Sequence, residues 1–346
     1  MRFIFSYIYL LLYKTNLLLF KAGIKKTFQF KPYLVSVGNL TAGGAGKTPM
    51  IIYLSSLLSH FSIQHSIVSR GYKKNNSKTT IVSDKQNILT GVLEAGDEPF
   101  LLASCLKGVP VVVGNKKRAI SLSHKTFKSP VTLLDDGFQS HSINKNLNIL
   151  LVDLSIQAKD YRLLPLGYLR EPLSRSKKAD IIIFTKCNFM SNDSSWVRKA
   201  FFLSSGLPES VFFNSNFILT LKKYSYQSHS FVDFNKKIFV PCVAVSGIAN
   251  SEIFKKSLGN FCEKSFQHIV FSDHQIYKKK QINIIQKTLI KNDSKTILTT
   301  LKDFYKLYKF FNGFSFFIID VEHKIENEER FKSLLLKKIP AATSLI

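Results

Sequence analysis

Runs of consecutive apolar residues alternate with helical segments along the chain after residue 31. Such runs are typical of strands that are buried on both faces of a parallel sheet, because a half-exposed strand alternates apolar and polar positions. Segments such as Pro49–His60 separate the runs and predict helices. The pattern therefore predicts an α/β fold with a doubly wound parallel sheet. The first series of predicted strands is Pro32–Val37, His65–Ser69, Val109–Gly114, Pro130–Asp136, Asn148–Asp153 and Ala179–Lys186.

The pattern weakens between residues 190 and 237, where Ser, Asn and Lys replace the apolar runs. A second series of strands follows and predicts a second, smaller α/β domain. These strands are Ile238–Ser246, Ser265–Phe271, Lys295–Thr300 and Phe314–Asp320. The predicted organisation is an amphipathic helix at 1–31, a core domain at 32–205, a junction or linker at 206–237 and a C-terminal domain at 238–346.

The first 31 residues contain two apolar runs and six basic residues, but no acidic residue. No window reaches the ~18 uninterrupted apolar residues expected of a membrane-spanning helix, and no small-x-small cleavage site follows the apolar run. On a helical wheel, five polar residues fall within one arc of about 140°: Arg2, Ser6, Lys14, Lys21 and Lys25. The segment predicts peripheral membrane association through residues 1–26, with a helix packed on the core as the alternative.

The chain carries 49 Lys and Arg against 23 Asp and Glu, a formal net charge of +26. This excess favours an anionic partner, such as a membrane leaflet, a nucleic acid or a phosphorylated substrate. An AT-rich coding bias would also enrich Lys and Asn, so the charge alone does not select among these partners. The chain has no basic motif with interleaved aromatic residues of the kind that binds RNA, and we expect no nucleic-acid partner.

The four cysteines are far apart in sequence, and none of them forms a CxxC pair. This spacing is typical of reduced thiols in a cytosolic protein. We expect no structural zinc, because a thiolate site requires closely spaced ligand pairs or a fold that gathers distant ones.

A strand, a glycine-rich loop and a helix follow one another in YLVSVGNLTAGGAGKTPMIIYL. The loop glycines let backbone N–H groups surround phosphate oxygens, and the positive end of the helix faces the same place. Lys47 is expected to reach the β- and γ-phosphates, and Thr48 to bind Mg²⁺. The predicted nucleotide-binding residues are Gly43, Gly44, Ala45, Gly46, Lys47 and Thr48.

Three departures from standard nucleotide motifs bear on the type of NTPase. The strict phosphate-loop motif has a glycine where this chain has Thr41, and regulatory ATPases of the MinD type have a lysine where it has Ala42. A MinD-type membrane ATPase stays open as an alternative. In TKCN, Asn188 replaces the carboxylate with which GTPases bind guanine, which favours ATP.

Acidic residues lie at the ends of two predicted elements. Asp135 and Asp136 close an apolar strand, a usual place for carboxylates that bind Mg²⁺, although an Asp-Gly turn explains them too. Asp97 suits a helix N-cap, since Glu98 and Pro99 fit a first turn. His274 is by itself an ordinary loop histidine.

Taken together, these residues resemble the tetraacyldisaccharide 4′-kinase family of Gram-negative bacteria. The matching stretches run in the order of the family from residue 35 to residue 303, and the loop variant with Thr41 and Pro49 is typical of it. They are VGNLTAGGAGKTP, SRGY (Ser69–Tyr72), GDEP (Gly96–Pro99), LLDDGFQ (Leu133–Gln139), LLPLGYLREP (Leu163–Pro172), FSDHQIY and TTLKD (Thr299–Asp303).

The resemblance implies a kinase at the cytoplasmic face of the inner membrane that acts in lipid A biosynthesis. It would move the γ-phosphate of ATP, with Mg²⁺, to the 4′-hydroxyl of tetraacyldisaccharide 1-phosphate and give lipid IVA. Asp97 would correspond to the proposed general base of the family, and His274 to the histidine that is thought to pair with it. If His274 lies in the C-terminal domain, the base would be completed when the domains close over the substrate.

Further residues are carried over from the family with less detail. Asp135, Asp136 and Glu171 match acidic positions near Mg²⁺, and contacts to the nucleotide or to the sugar phosphate are expected from Arg70, Tyr72, Arg118, Gln139 and Arg170. The chain departs from the family at Lys73 and Lys74, where glycines are usual, and at Ser140, where histidine is common. The acyl-chain preference, the oligomeric state and the number of metal ions stay open.

Overall fold

A computed structural model describes residues 1–71, 78–263 and 266–340 of the chain. The chain divides into two compact units. Unit 1 comprises Met1–Phe217 and His323–Ile346, and unit 2 comprises Ile218–Glu322. The chain leaves unit 1 within one long strand and returns within another, so each unit is described by itself below.

Unit 1 is built around a sheet with helices on both faces. Its helices are α1 (Arg2–Lys21), α2 (Lys47–His60), α3 (Val92–Ala95), α4 (Asp97–Cys105), α5 (Lys116–Phe127) and α6 (Ser194–Ser205). Its strands are β1 (Tyr33–Asn39), β2 (His65–Ser69), β3 (Thr80–Ser83), β4 (Val111–Val113), β5 (Val131–Asp135), β6 (Leu147–Asp153), β7 (Ile181–Thr185) and the first part of β8 (Phe212–Ser225).

The strands of unit 1 lie in the order β8, β7, β6, β1, β5, β2, β4, β3, and β3 pairs antiparallel with β4. The other pairs are parallel. The α/β fold with a parallel sheet that the apolar runs predicted is thereby confirmed. Strand β1 lies between β5 and β6, with Val37 opposite Asp135. This register brings the end of β1, where the glycine-rich loop begins, beside the paired aspartates.

Successive residues of β1 pack into different cores, because side chains of a strand alternate between its two faces. Val35 and Val37 pack with Met50 and Leu54 of α2, whereas Leu34 packs on the opposite face with Ile120 of α5. Both faces of the strand are therefore buried, which explains its uninterrupted apolar sequence.

Unit 2 is a smaller α/β unit. Its elements are the second part of β8, β9 (Ser230–Asp233), β10 (Cys242–Ser246), α7 (Ser251–Phe261), β11 (Phe266–Val270), α8 (Lys279–Lys291), β12 (Thr296–Thr300), α9 (Leu301–Leu307) and most of β13 (Ser315–Ile325). Strands β11, β10, β12 and β13 are parallel neighbours in that order, and β9 forms an antiparallel hairpin with β8. The four strands predicted from the second series of apolar runs are present.

The segment predicted as a linker, 206–237, contains β8 and β9. Small polar residues alternate with apolar ones along β8, which matches a strand with one buried face rather than a buried run. The last helix, α10 (Glu328–Lys338), follows the return of the chain to unit 1. Its Phe331 and Leu335 join the core that contains α2.

Helix α1 lies on unit 1 through a narrow polar and aromatic stripe. The Ser6 hydroxyl donates to the Leu163 carbonyl at 3.2 Å, and the Tyr9 hydroxyl donates to the Arg170 carbonyl at 2.6 Å. Ser6, on the polar arc of the helical wheel, is buried, because its hydroxyl finds a backbone acceptor on the protein. By length and composition alone, α1 is also long and apolar enough to cross a membrane. Its exposed apolar side chains are Phe3, Ile4, Phe5, Tyr7, Ile8, Leu11, Leu12 and Leu18.

Candidate active site

The glycine-rich loop joins the end of β1 to the first turn of α2. Gly43 and Gly46 have φ values of 110° and 86°, in the left-handed region that glycine adopts without strain. Helix α2 begins at Lys47, and Thr48 is its second residue. The first backbone N–H groups of this helix therefore face the loop, as a phosphate-binding site requires.

Lys47 is held by two groups at the edge of the sheet. Its Nζ atom lies 3.1 Å from Oδ1 of Asn39 and 3.5 Å from Oδ1 of Asp136. Asn39 is the last residue of β1 and is fully buried. Both partners orient the ammonium group toward the loop.

Arg170 joins the same cluster from the LLPLGYLREP stretch. Its guanidinium donates to both carboxylate oxygens of Asp136, at 3.1 and 3.2 Å, and to Oδ1 of Asn39 at 2.7 Å. Burial raises the pKa of Asp136, but Lys47 and Arg170 outweigh it and hold that pKa well below its usual range. Asp136 is therefore a carboxylate with two cationic partners.

Asp135 has the opposite electrostatic environment. It is buried, and its Oδ2 atom accepts from the Ser69 hydroxyl at 2.9 Å. Among the residues that the structure describes, none forms a hydrogen bond with its Oδ1 atom. Burial raises the pKa of Asp135 to about 6, and the charges of Glu98 and Asp136 add to the effect. A buried carboxylate oxygen without a partner is suited to a cation.

These residues fit a magnesium ion that arrives with a nucleotide. Within the described residues, no group of three or more His, Cys, Asp and Glu side chains could hold a metal by itself. Mg²⁺ needs no such cage, since it usually binds one or two carboxylates together with substrate phosphates and water. Asp135, Asp136 and Thr48 carry side-chain oxygen atoms of the kind that Mg²⁺ prefers.

Two further polar side chains border the cluster. Gln139 donates through Nε2 to the backbone carbonyl of Asn39, and the Lys116 ammonium donates to the carbonyl of Asp136. Burial lowers the pKa of Lys116 to about 8, against the opposing effect of Asp136. Arg70, which is exposed just after β2, contributes to this lowering and so lies near Lys116.

A cavity of 280 Å³ opens beside these residues, between the end of α1 and the start of α5. It has a basic and polar lining with a few apolar side chains: Asn16, Phe20, Asn115, Lys116, Lys117, Gln139, Ser140, His141, Ser142 and Ile143. The rings of Tyr13 and Phe20 lie against His141, so α1 forms part of the wall.

Glu171, predicted near the metal, is engaged by two basic side chains. Its Oε1 atom lies 2.9 Å from Nε2 of His141, and its Oε2 atom accepts from Nε of Arg175 at 3.4 Å. Arg118 lies in the first turn of α5, where its backbone N–H donates to Oδ1 of Asn115 and its side chain is exposed. Tyr72 lies outside the described residues.

Asp97 is the first residue of α4, and the N-cap position belongs to Gly96, whose φ is 89°. The N-cap position that the sequence offered as the ordinary explanation of Asp97 is therefore occupied by its neighbour. In TKCN, the Asn188 side chain exchanges hydrogen bonds of 2.8 and 3.0 Å with the backbone of Phe217. This residue stabilises the backbone of β8.

His274 belongs to unit 2, in the segment between β11 and α8. Its φ is 55°, its backbone N–H donates to the Gly247 carbonyl at 3.2 Å, and its Nε2 atom lies 3.2 Å from Nζ of Lys302. The buried Asp303 accepts from the Gly247 N–H at 2.8 Å. The DH and TLKD motifs therefore meet within unit 2.

A family model described as tetraacyldisaccharide-1-P 4′-kinase (LpxK) matches residues 2–340. The chain belongs to this family. Curated tetraacyldisaccharide 4′-kinases cover most of the chain as well. The protein of Desulfatibacillum aliphaticivorans is 32% identical over 96% of this chain and 91% of its own length. The protein of Desulfotalea psychrophila is 36% identical over 88% of this chain and 87% of its own length.

A solved structure shares the fold of this family member. The crystal structure of an "apo" form of LpxK from Aquifex aeolicus in complex with ATP matches it with a TM-score of 0.74 and 29% sequence identity. The match covers 97% of this chain and 98% of that chain.

Sequence reasoning missed two residues of this kinase site. Asn39 accepts from Lys47 and Arg170 and was visible as a polar residue that ends an apolar strand. Lys116 had no such signal, because it belongs to a run of three basic residues in a chain rich in lysine. Only the packing of α5 beside the end of β5 distinguishes it.

Proposed function

We propose that this chain transfers the γ-phosphate of ATP to the 4′-hydroxyl of tetraacyldisaccharide 1-phosphate and works at the membrane surface. The observation that carries this proposal is a family match over nearly the whole chain, together with a phosphate loop that ends beside Asp135 and Asp136. The chain is accordingly an ATP-dependent kinase of lipid A biosynthesis. The comparisons give no support to the MinD-type alternative.

The phosphate side of the reaction uses the cluster around Lys47. Lys47 and Arg170 both form ion pairs with Asp136. Bound ATP would compete for both cations, which would then stabilise the charge that develops on the transferred phosphoryl group. Magnesium, when bound by Asp135, Asp136 and Thr48, would neutralise the phosphate oxygens. Glu171 stays a predicted member of this metal site, although its carboxylate is paired with His141 and Arg175.

The acceptor sugar would enter through the cavity between α1 and α5. Its lining includes the cations Lys116 and Lys117, and the Lys116 ammonium bonds the Asp136 carbonyl. A phosphorylated sugar suits such a lining, because basic side chains bind phosphate through charge-assisted hydrogen bonds. Arg70 and Arg118 are exposed near the same region and remain candidates for phosphate contacts, with Tyr72 and Gln139.

The proton of the sugar hydroxyl requires a base. A hydroxyl is a poor nucleophile, and a carboxylate within hydrogen-bond reach contributes about 10²- to 10⁴-fold. We assign this role to Asp97, since Gly96 already holds the N-cap position of α4. His274 is assigned as the residue that orients this base, by family correspondence.

The membrane side of the molecule would be α1. It bonds unit 1 through Ser6 and Tyr9 and exposes apolar side chains on its other sides. A helix fixed along a folded body cannot also cross a bilayer, so we propose that α1 lies in the cytoplasmic leaflet of the inner membrane. Each lipid CH₂ group drawn into water costs about 0.8 kcal/mol, which keeps a tetraacylated substrate at that surface.

The direct test is transfer of ³²P from [γ-³²P]ATP to purified tetraacyldisaccharide 1-phosphate in mixed micelles, followed by thin-layer chromatography. We expect a labelled lipid product from the natural protein and none from Lys47→Ala, which removes the charge on the β- and γ-phosphates. Lys332→Ala is the matched control, because Lys332 forms exposed ion pairs on α10. A natural protein that hydrolyses ATP without labelling the lipid would contradict the proposal.

A further inference from the structure

His323 is a buried histidine that touches the glycine-rich loop. It is the first residue of the chain on its return to unit 1, near the end of β13. Its Nε2 atom lies 2.9 Å from the Gly46 carbonyl oxygen, and its Nδ1 atom lies 2.7 Å from the Ser215 hydroxyl. The ring packs edge-on against Phe217 at 5.0 Å between centroids.

These contacts determine which nitrogen carries the proton. A carbonyl oxygen only accepts hydrogen bonds, so Nε2 must donate to Gly46, and Nδ1 of the neutral ring then accepts from the Ser215 hydroxyl. Burial lowers the pKa of His323 to about 4, with Lys186 as a lesser cause in the same direction. The ring is neutral near pH 7, in the tautomer that the two contacts require.

Fixing a carbonyl in this loop also fixes the next backbone N–H. In a trans peptide unit, the C=O group and the following N–H point in opposite directions in one plane. The direction of the Gly46 carbonyl therefore fixes the direction of the Lys47 N–H, which points the opposite way. The Ala45 carbonyl fixes the Gly46 N–H in the same manner. The Thr185 hydroxyl donates to Ala45 C=O at 3.1 Å, as His323 does to Gly46.

We propose that His323 is a positioning residue for ATP binding: by donating to Gly46 C=O it aims the Lys47 backbone N–H at the triphosphate. The Gly46 carbonyl also accepts from the Met50 N–H at 3.1 Å, the first bond of α2. The histidine is thus a second donor at the junction of loop and helix. The two bonds together leave this peptide plane little freedom to rotate.

The packing around Gly46 shows that His323 and Phe217 approach the loop closely. A Cβ atom at this position would lie 2.7 Å from Cζ of Phe217 and 2.9 Å from Nε2 of His323. The histidine thus approaches the loop more closely than any side chain at position 46 would allow. A buried histidine that only stabilises the fold would also have both ring nitrogens hydrogen-bonded. The effect of replacing His323 on ATP binding must therefore be compared with the effect of replacing a buried histidine away from the loop.

His65 supplies that comparison within the same unit. It is also buried, its Nδ1 atom lies 2.9 Å from the Ile63 carbonyl, and its Nε2 atom lies 2.6 Å from the Ser55 hydroxyl. His65→Phe therefore removes the same kind of hydrogen bonds as His323→Phe, but away from the loop.

The experiment compares four variants, His323→Phe, His323→Gln, Ser215→Ala and His65→Phe, with the natural protein. Binding of a non-hydrolysable ATP analogue with Mg²⁺ is measured by calorimetry, and thermal unfolding is measured in parallel. The inference rests on the proposed use of the loop for ATP, but this readout needs no lipid, so a failure of lipid transfer would leave it testable.

We expect His323→Phe to weaken binding of the analogue by about three- to tenfold, the range of one neutral hydrogen bond. His65→Phe should lower the thermal stability by a similar amount but leave binding of the analogue unchanged. His323→Gln, whose amide can reach Gly46, should bind more tightly than His323→Phe. Equal affinities for His323→Phe and His65→Phe, or no recovery with Gln, would overturn the inference. Should His323→Phe fail to fold, Ser215→Ala decides: weaker binding than His65→Phe supports the proposal, and equal binding overturns it.

Discussion

At the scale of single residues, the site depends on polar groups whose partners come from different elements. Asn39 receives hydrogen bonds from Lys47 and Arg170, while one buried oxygen of Asp135 has no hydrogen-bond partner within the described part of the chain. A satisfied buried group stabilises the site, whereas an unsatisfied one costs free energy unless a ligand completes it. Asn39 therefore has a structural role in the cluster, whereas Asp135 is suited to binding a cation.

The first residue prediction concerns the proposed base. Asp97→Asn should lose most of kcat, by about 10²- to 10⁴-fold, while the KM for ATP changes by only a few fold. Asn would replace Asp well if the residue only stabilised a helix terminus. Steady-state kinetics measure both parameters. Asp193→Asn is the control, because Asp193 is the N-cap residue of α6 and lies outside the site. If Asp97→Asn retains its kcat, Asp97 is not the general base.

The second residue prediction concerns pH and His323. Its pKa is about 4 in the folded protein against 6.5 as the ordinary value, so the unfolded chain binds more protons between these values. Stability from this group is complete above pH 6.5 and is lost as the pH falls toward 4, by up to about 3 kcal/mol. Compared with His323→Gln, the natural protein should lose more stability over this window, as measured by denaturant unfolding. If the free energy of unfolding depends on pH in the same way in both proteins, His323 is not a buried neutral histidine.

At the scale of elements, α1 differs most from an ordinary helix of a globular protein. Its side chains Ser6 and Tyr9 face the protein, whereas apolar side chains such as Ile8 and Leu12 are exposed. Exposed apolar patches of this kind mark an interaction surface. Basic residues flank it, and each adds about 1 kcal/mol near anionic lipid.

The prediction at this scale concerns the exposed apolar side chains of α1. Ile8→Glu together with Leu12→Glu should reduce sedimentation with phosphatidylglycerol vesicles and raise the apparent KM for the lipid more than that for ATP, and deletion of residues 1–26 should act in the same direction. Leu203→Glu on α6 is the control, because Leu203 is 67% exposed and Leu12 65%. Unchanged sedimentation of the α1 variant at low salt would show that α1 is not the membrane contact.

At the scale of the whole molecule, the proposed base and its orienting histidine belong to different units. If both serve one proton transfer, their effects cannot add, because removing either disables the same step. The double variant of Asp97→Asn and His274→Ala should therefore have a kcat close to that of Asp97→Asn alone. Single-turnover kinetics at saturating ATP measure this. Additive losses would assign His274 a separate role within unit 2, where Lys302 neighbours it.

The sequence predicted most strands of the sheet and the glycine-rich loop, because both depend on local chain chemistry. Consecutive apolar residues can be buried only in a sheet covered on both faces, which predicted β1, β5 and β6. The spacing of Gly43, Gly46 and Lys47 predicted a loop whose N–H groups face one point. The order of the motifs then indicated the family.

The tertiary structure alone decided how residues remote in sequence share hydrogen bonds. The alternating residues of β8 looked like a linker, since a strand with one buried face needs a partner to be recognised. Asn39 with Arg170, Lys116 with Asp136, and His323 with Gly46 are pairs that no spacing predicts, because burial removes water and leaves each polar group dependent on whichever element packs beside it. The direction in which α1 presents its apolar side was likewise decided by a carbonyl acceptor for Ser6 far along the chain.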